Sequence, residues 1–272
     1  MTDSDLVLAE RREAVLVLTL NRPERLNAWT DALEDQYFER LSAAEADPEI
    51  RAIVVTGAGR GFCAGADLDD LQEVGANADA QSGRVTARPP RSFPYTVRKP
   101  LVAAINGAAA GLGLVEAIYC DVRFAVPTAK LTTAFARRGL VAEYGISWLL
   151  PRLVGASRAL DLLISGRVVL ADEAERIGLV DRVVPAQCLL AETVSYALDL
   201  ARNCSPTSMA EIKGQVHRHL TSSFAEAVAD SDRLMLESFR WPDLTEGVRS
   251  YRERRAPEFP PLTIGSDPWT SR

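Results

Sequence analysis

Two short apolar runs, each released directly into a glycine-rich turn, constrain this chain more than any other feature. Ala52-Ile53-Val54-Val55-Thr56 runs into Gly57-Ala58-Gly59-Arg60-Gly61, and Leu101-Val102-Ala103-Ala104-Ile105 runs into Asn106-Gly107 and on to Gly111-Leu112-Gly113. Apolar runs of this length, rich in Val and Ile, read as core strands. After the first turn small residues continue to Asp67, where a helix can begin; after the second, a small-residue helical segment runs from Gly111 towards Cys120. The fold class that follows is α/β, with core strands delivering their ends to loops and the loops leading into helices. Backbone N–H groups at such helix starts are unsatisfied donors. Two donor sets converging at neighbouring strand ends would form an oxyanion hole. Each loop alone reads first as a tight turn whose small residues serve packing; their pairing points to chemistry.

The remaining chain supports the same class. Residues 6–20 hold two extended segments, the second a buried strand, and residues 30–47 form an amphipathic helix with Leu33, Tyr37, Phe38, Leu41 and Ala44 on one face. Val122-Arg123-Phe124-Ala125 is a further strand. Beyond Gly139 the pattern is mainly helical, with residues 178–184 the one late extended segment. The chain therefore divides into an α/β core over residues 1–200 and a helical C-terminal region with a Pro-rich tail over residues 201–272. Residues 76–94, rich in Ala, Gly, Ser, Arg and Pro without period, read as a mobile surface segment.

Several function classes are disfavoured. A net charge of -6 argues against a general nucleic-acid binder. Cys63, Cys120, Cys188 and Cys204 have neither C-x-x-C spacing nor a companion histidine at zinc-finger spacing, so they read as reduced thiols. The apolar stretches are broken by charges and prolines, and the acidic start lacks a secretory pattern; the expectation is a cytoplasmic protein without a membrane span. The glycines at 107, 111 and 113, with Tyr95-x-x-x-Lys99, look like a short-chain dehydrogenase set, but in that family the glycines come first and the Tyr/Lys pair far downstream. His217 and His219, the only histidines, point to different faces of a helix and make a poor metal pair. Acid–base work falls to carboxylates.

Leu20-Asn21-Arg22-Pro23-Glu24-Arg25-Leu26-Asn27-Ala28 resembles the first signature of the crotonase (enoyl-CoA hydratase/isomerase) superfamily, and Gly61-Phe62-Cys63-Ala64-Gly65-Ala66-Asp67-Leu68 resembles the second. Ala103-Ala104-Ile105-Asn106-Gly107, then Gly111-Leu112-Gly113 and Cys120-Asp121, looks like the third; matching segments continue through Gly139-Leu140-Val141, Leu149-Leu150-Pro151-Arg152 and Gly178-Leu179-Val180. The resemblance implies a crotonase-type spiral of β-β-α units with a helical C-terminal trimerisation region, assembled as a trimer or a dimer of trimers. It implies an oxyanion hole from the N–H groups of Ala66 and Leu112, the latter replacing a usual Gly. Coenzyme A would be held through backbone around Leu26, Ala28, Ala64, Asp67 and Leu68. The helix from Glu246 through Tyr251, Arg254 and Arg255 to Phe259 resembles one that can reach coenzyme A, sometimes across a subunit interface; a solvated basic helix end is the alternative. An acyl-CoA thioester is then the substrate, and no separate cofactor is implied.

Hydratases of the family use two glutamates, and this sequence departs at both positions. Counting from Gly111-Leu112-Gly113 the first is Val115; counting back from Gly139-Leu140 the second is Phe135. Neither side chain transfers a proton, so Gly111, Val115 and Phe135 are read as lining the substrate. Glu116 is one residue away, and one residue turns a helix by about 100°, so it should face elsewhere. Glu143 stands where several relatives, enoyl-CoA isomerases among them, carry the working carboxylate. A helix N-terminal glutamate acting on the macrodipole is the plain alternative. The expectation is double-bond isomerisation by one carboxylate, with hydration and a non-catalytic acyl-CoA-binding role as alternatives.

Overall fold

The computed structural model describes residues 5–67 and 89–262. Leu68 and most of the 76–94 segment, through residue 88, lie outside the described residues, as does the tail from residue 263.

The paired apolar runs become strands of one six-stranded sheet. β1 (Val7–Arg12) and β2 (Val15–Leu20) form an antiparallel hairpin, and β3 (Ala52–Gly57), β5 (Leu101–Ile105) and β7 (Val122–Ala125) follow in parallel, with the two-residue β10 (Arg182–Val183) at the edge. Every residue of β3 and β5 is buried, which is why these strands read as unbroken apolar runs rather than alternating ones. Helix α1 (Asp31–Ala46) packs on β1 and β2, with Thr30 as its N-cap accepting from the Leu33 N–H.

A second sheet is built from strands too short to read in advance. β4 (Gly61–Cys63), β6 (Ala108–Ala110) and β8 (Lys130–Thr132) run parallel, and β9 (Val169–Leu170) closes the edge antiparallel. Each turn of the chain thus places one strand in each sheet: β3 then β4, β5 then β6, β7 then β8. The β5–β6 turn continues into helix α3 (Leu112–Tyr119), preceded by the short α2 (Phe93–Thr96) before β5. The architecture is the α/β spiral of β-β-α units with a helical C-terminal region. The reading of residues 106–113 as loop missed β6, and the extended reading of residues 178–184 reduces to β10. Three-residue strands of Gly and Ala carry no period; only pairing with neighbours makes them strands.

Helices account for most of the rest: α4 (Ile146–Val154), α5 (Ala156–Ser165), α6 (Ala171–Arg176), α7 (Leu189–Asn203), α8 (Pro206–His219), α9 (Phe224–Ser238) and α10 (Pro242–Glu253). α7 lies across β2, β3 and β5 and seals one face of the large sheet. No helix among the described residues is long and apolar enough to cross a membrane.

Candidate active site

Loop shape at the strand ends is set by two asparagines. Buried Asn27, held at φ +57°, donates from its side-chain nitrogen to the carbonyls of Ala58, Gly61 and Phe62 at 2.9–3.1 Å, while its oxygen accepts from the Arg22 N–H. Asn106 does the same from the next turn, donating to the carbonyls of Gly57, Gly59 and Gly61. Turn carbonyls that strand pairing leaves unmatched thereby find donors. Arg22 then ties the first signature to the second, its guanidinium 3.0 Å from the Asp67 carboxylate and 2.6 Å from the Ala28 carbonyl oxygen. The Ala64 N–H donates to the Leu26 carbonyl, so Leu26, Ala28, Ala64 and Asp67 form one backbone cluster. Leu68 lies outside the described residues.

The two candidate oxyanion donors lie on adjoining walls. Trp29 pairs with the backbone on either side of Ala66, its N–H donating to Gly65 O and its O accepting from the Asp67 N–H; in a parallel bridge this turns the Ala66 N–H away from Trp29. Gly65, at φ +91°, presses against the second loop: a methyl group added there would lie 2.6 Å from Ala110 O and 3.6 Å from Leu112 N. Leu112 opens α3 after Gly111, which sits at φ +50° and donates to Thr132 O. Neither the Ala66 nor the Leu112 N–H has an acceptor among the described residues. Gly113 backs this arrangement, since a methyl there would meet Cys63 O at 2.2 Å. The site therefore needs glycine at 65 and 113 for close backbone approach.

Around these donors the side chains divide cleanly. Val115 and Phe135 are buried and apolar. α3 is continuous from Leu112 to Tyr119, so no register change brings Glu116 to the Val115 position. Glu116 instead points into the core, 2% exposed, with both carboxyl oxygens unpartnered among the described residues. Burial foremost, then the Glu34 carboxylate, push its pKa well above the ordinary carboxylate range, with Arg91 opposing. Glu143 lies on the segment before α4 and is half-buried, with no side-chain hydrogen bond among the described residues. Its pKa is raised by burial, which outweighs the lowering by Arg91. A carboxyl held above its usual range but still reachable is suited to taking and returning a proton.

Other candidates are engaged by neighbours or sealed in the core. His217 stacks on Tyr95 at 4.1 Å and is lowered to about 4 by burial and Lys213, whereas His219 faces Asp230. Burial pushes the Cys63 thiol up to about 12, which keeps it protonated and unreactive. Arg255 is held by Glu246 and Glu253, and the Phe259 carbonyl accepts from Arg51, at the end of β3 opposite Gly57. Within one chain, therefore, the C-terminal helix does not face the oxyanion donors. Sequence reasoning quoted Asn27 and Asn106 within motifs without a role of their own, and passed over Trp29, Glu34 and Arg91. Glu34 had one signal, an acid beside Leu33 on the buried side of α1; Arg91 lies in a segment without period.

The chain from residue 10 to residue 261 matches the family model described as Enoyl-CoA hydratase/isomerase. It is 36% identical over 262 residues to a probable enoyl-CoA hydratase of Mycobacterium bovis, covering 94% of this chain and 98% of that one. It is 35% identical over 265 residues to the 1,2-epoxyphenylacetyl-CoA isomerase of Escherichia coli, with the same coverage. A solved structure of a probable enoyl-CoA hydratase/isomerase from Mycobacterium abscessus superposes with a TM-score of 0.85 at 31% identity, covering 94% of this chain and 99% of that one.

Proposed function

Since the chain belongs to the enoyl-CoA hydratase/isomerase family, we propose that it shifts the double bond of an enoyl-CoA, using Glu143 as the single proton carrier. The observation that carries this reading is the contrast among the acidic candidates. Val115 and Phe135 stand at the two hydratase positions, Glu116 is sealed in the core, and Glu143 is an accessible carboxyl with a raised pKa.

In this mechanism the thioester oxygen accepts from the N–H groups of Ala66 and Leu112. The hole stabilises negative charge on that oxygen and so acidifies the carbon beside the carbonyl. Glu143 removes a proton from that carbon of a 3-enoyl-CoA; the electron pair moves into a dienolate delocalised to the far end of the double bond. The same carboxyl returns the proton there, leaving the 2-enoyl-CoA and a regenerated carboxylate. Atoms balance with no water consumed.

Glu143→Gln should cut kcat by about 10²–10⁴-fold, the usual worth of a positioned acid–base group, while acyl-CoA binding measured by calorimetry persists. Retained turnover would remove Glu143 from the mechanism. Hydration remains the second reading because the M. bovis relative carries a hydratase name; it requires a water-activating carboxylate besides Glu143. Saturable binding by the wild type without turnover of any enoyl-CoA would instead favour a non-catalytic acyl-CoA-binding role.

A further inference from the structure

We infer that Arg91 is a positioning residue that locks Glu143 in register with the oxyanion hole, through a ring of contacts joining both oxyanion loops. This inference rests on the reading of Glu143 as the proton carrier. The ring starts at Trp29, whose backbone brackets Ala66 and whose indole N–H donates to Glu34 Oε2 at 2.8 Å. The same Glu34 oxygen lies 2.8 Å from Arg91 Nε. Arg91 Nη1 then donates to the Tyr144 hydroxyl at 2.6 Å, with its guanidinium 5.2 Å from the centre of the Tyr144 ring. Tyr144 follows Glu143 directly. Its carbonyl oxygen accepts from the Tyr119 hydroxyl at 2.6 Å, and Tyr119 ends α3, the helix that begins at Leu112.

Two features separate this from an ordinary surface ion pair. Glu34 and Trp29 are each 3% exposed, so the Arg91 guanidinium meets a buried carboxylate whose other bond is to an indole. A guanidinium presents several donors in a fixed plane and holds the acid and the hydroxyl in one geometry, whereas an ammonium lacks that planar fork. Tyr144, moreover, adopts φ +54°, a left-handed conformation that costs a non-glycine residue energy unless its surroundings hold it. Here it is gripped from both ends, at the hydroxyl by Arg91 and at the carbonyl by Tyr119. Relaxing either grip lets the backbone leave the left-handed region and carries Glu143 with it.

The test uses four variants of the full-length protein, with kcat, KM and the pH profile of kcat/KM measured on a 3-enoyl-CoA and folding followed by thermal melting. Tyr144→Phe and Tyr119→Phe each remove one hydroxyl, keep every charge and preserve the packing. Each should lower kcat about 10-fold with KM within about two-fold, and Arg91→Met should lower it up to about 100-fold, the scale set by misplacement of a reacting group by about 1 Å. Besides burial, the group acting on Glu143 is Arg91, whose guanidinium in turn faces Tyr144 and the Glu34 and Asp31 carboxylates of α1, with Tyr119 and Glu116 of α3 behind them. Arg91→Met therefore also moves the ascending limb of the profile to higher pH. Arg91→Lys restores the limb but not the full kcat. Folded Phe variants with kcat within two-fold of wild type would overturn the tether, and so would loss of activity that tracks only the folded fraction. Should Glu143→Gln keep its turnover, the underlying reading fails whatever these variants do.

Discussion

Glu143 and Glu116 are carboxyl groups in apolar surroundings that burial directs to opposite ends. Glu143 is only half-buried, and its raised pKa sets a pH dependence. As a base it must be ionised in the free enzyme, so kcat/KM should rise with pH through a value above the ordinary carboxylate range and then level off; a profile already flat through that range would contradict it. Glu116 is the reverse case, sealed in the core with its carboxyl oxygens unpartnered among the described residues and its pKa pushed well above the ordinary range by burial. Because its folded pKa lies above its unfolded one, its contribution to stability is fully present below the unfolded value. That contribution is lost as pH rises towards the folded value. Glu116→Gln cannot ionise, so it should melt close to wild type near pH 4 and above it at pH 8. Equal melting temperatures at both would mean that Glu116 is ionised in the fold. The separation of the two acids was legible from register counting along α3. The buried link from Glu34 to Arg91 was not, since Glu34 and Arg91 are 57 positions apart and meet only through tertiary packing.

The strand-to-helix loops owe their shape to side chains that lie outside the reacting groups. Asn27 lies within hydrogen-bond distance of three carbonyls from a buried position, sharing that of Gly61 with Asn106. Asn27→Ala should cost about 3 kcal/mol in denaturant unfolding, because orphaned buried acceptors lose more than a net hydrogen bond. Gly65 is constrained doubly, by φ +91° and by the Ala110 oxygen. Gly65→Ala should push the Ala66 loop from the Leu112 loop and lower kcat by about 10²-fold with little change in KM, as expected for loss of one oxyanion donor; a kcat unaffected by that change would show that Ala66 is not such a donor. Apolar runs and helix periods made β3, β5, β7 and the long helices readable in advance, as burial on both faces and 3.6-residue spacing require. The small sheet was invisible because β4, β6 and β8 are three residues long, and what makes them strands is their partners in the next turn of the spiral.

Across the full fold, the spiral presents one set of loops at the C-terminal ends of the parallel strands and leaves the C-terminal helices with exposed apolar residues. Phe224, Leu236, Phe239, Leu244, Val248 and Tyr251 are all exposed in the isolated chain. We propose that these residues meet other copies of the chain, as the trimer or dimer of trimers implied by the sequence resemblance would require, which predicts a solution mass of three or six times the 29.6 kDa chain; sedimentation at the mass of one chain would refute it. The family and the outline of the fold were legible because the signature segments sit in the backbone turns that build the loops. The proposed reaction rests on three positions, Val115, Phe135 and Glu143, whose consequence is chemical. Incubating the protein with matched 3-enoyl-CoA and 2-enoyl-CoA in heavy-oxygen water, and following products by chromatography and mass spectrometry, reads that consequence directly. A lone proton carrier predicts conversion of the 3-enoyl to the 2-enoyl compound with no heavy oxygen incorporated. A labelled 3-hydroxyacyl product would contradict it and establish hydration.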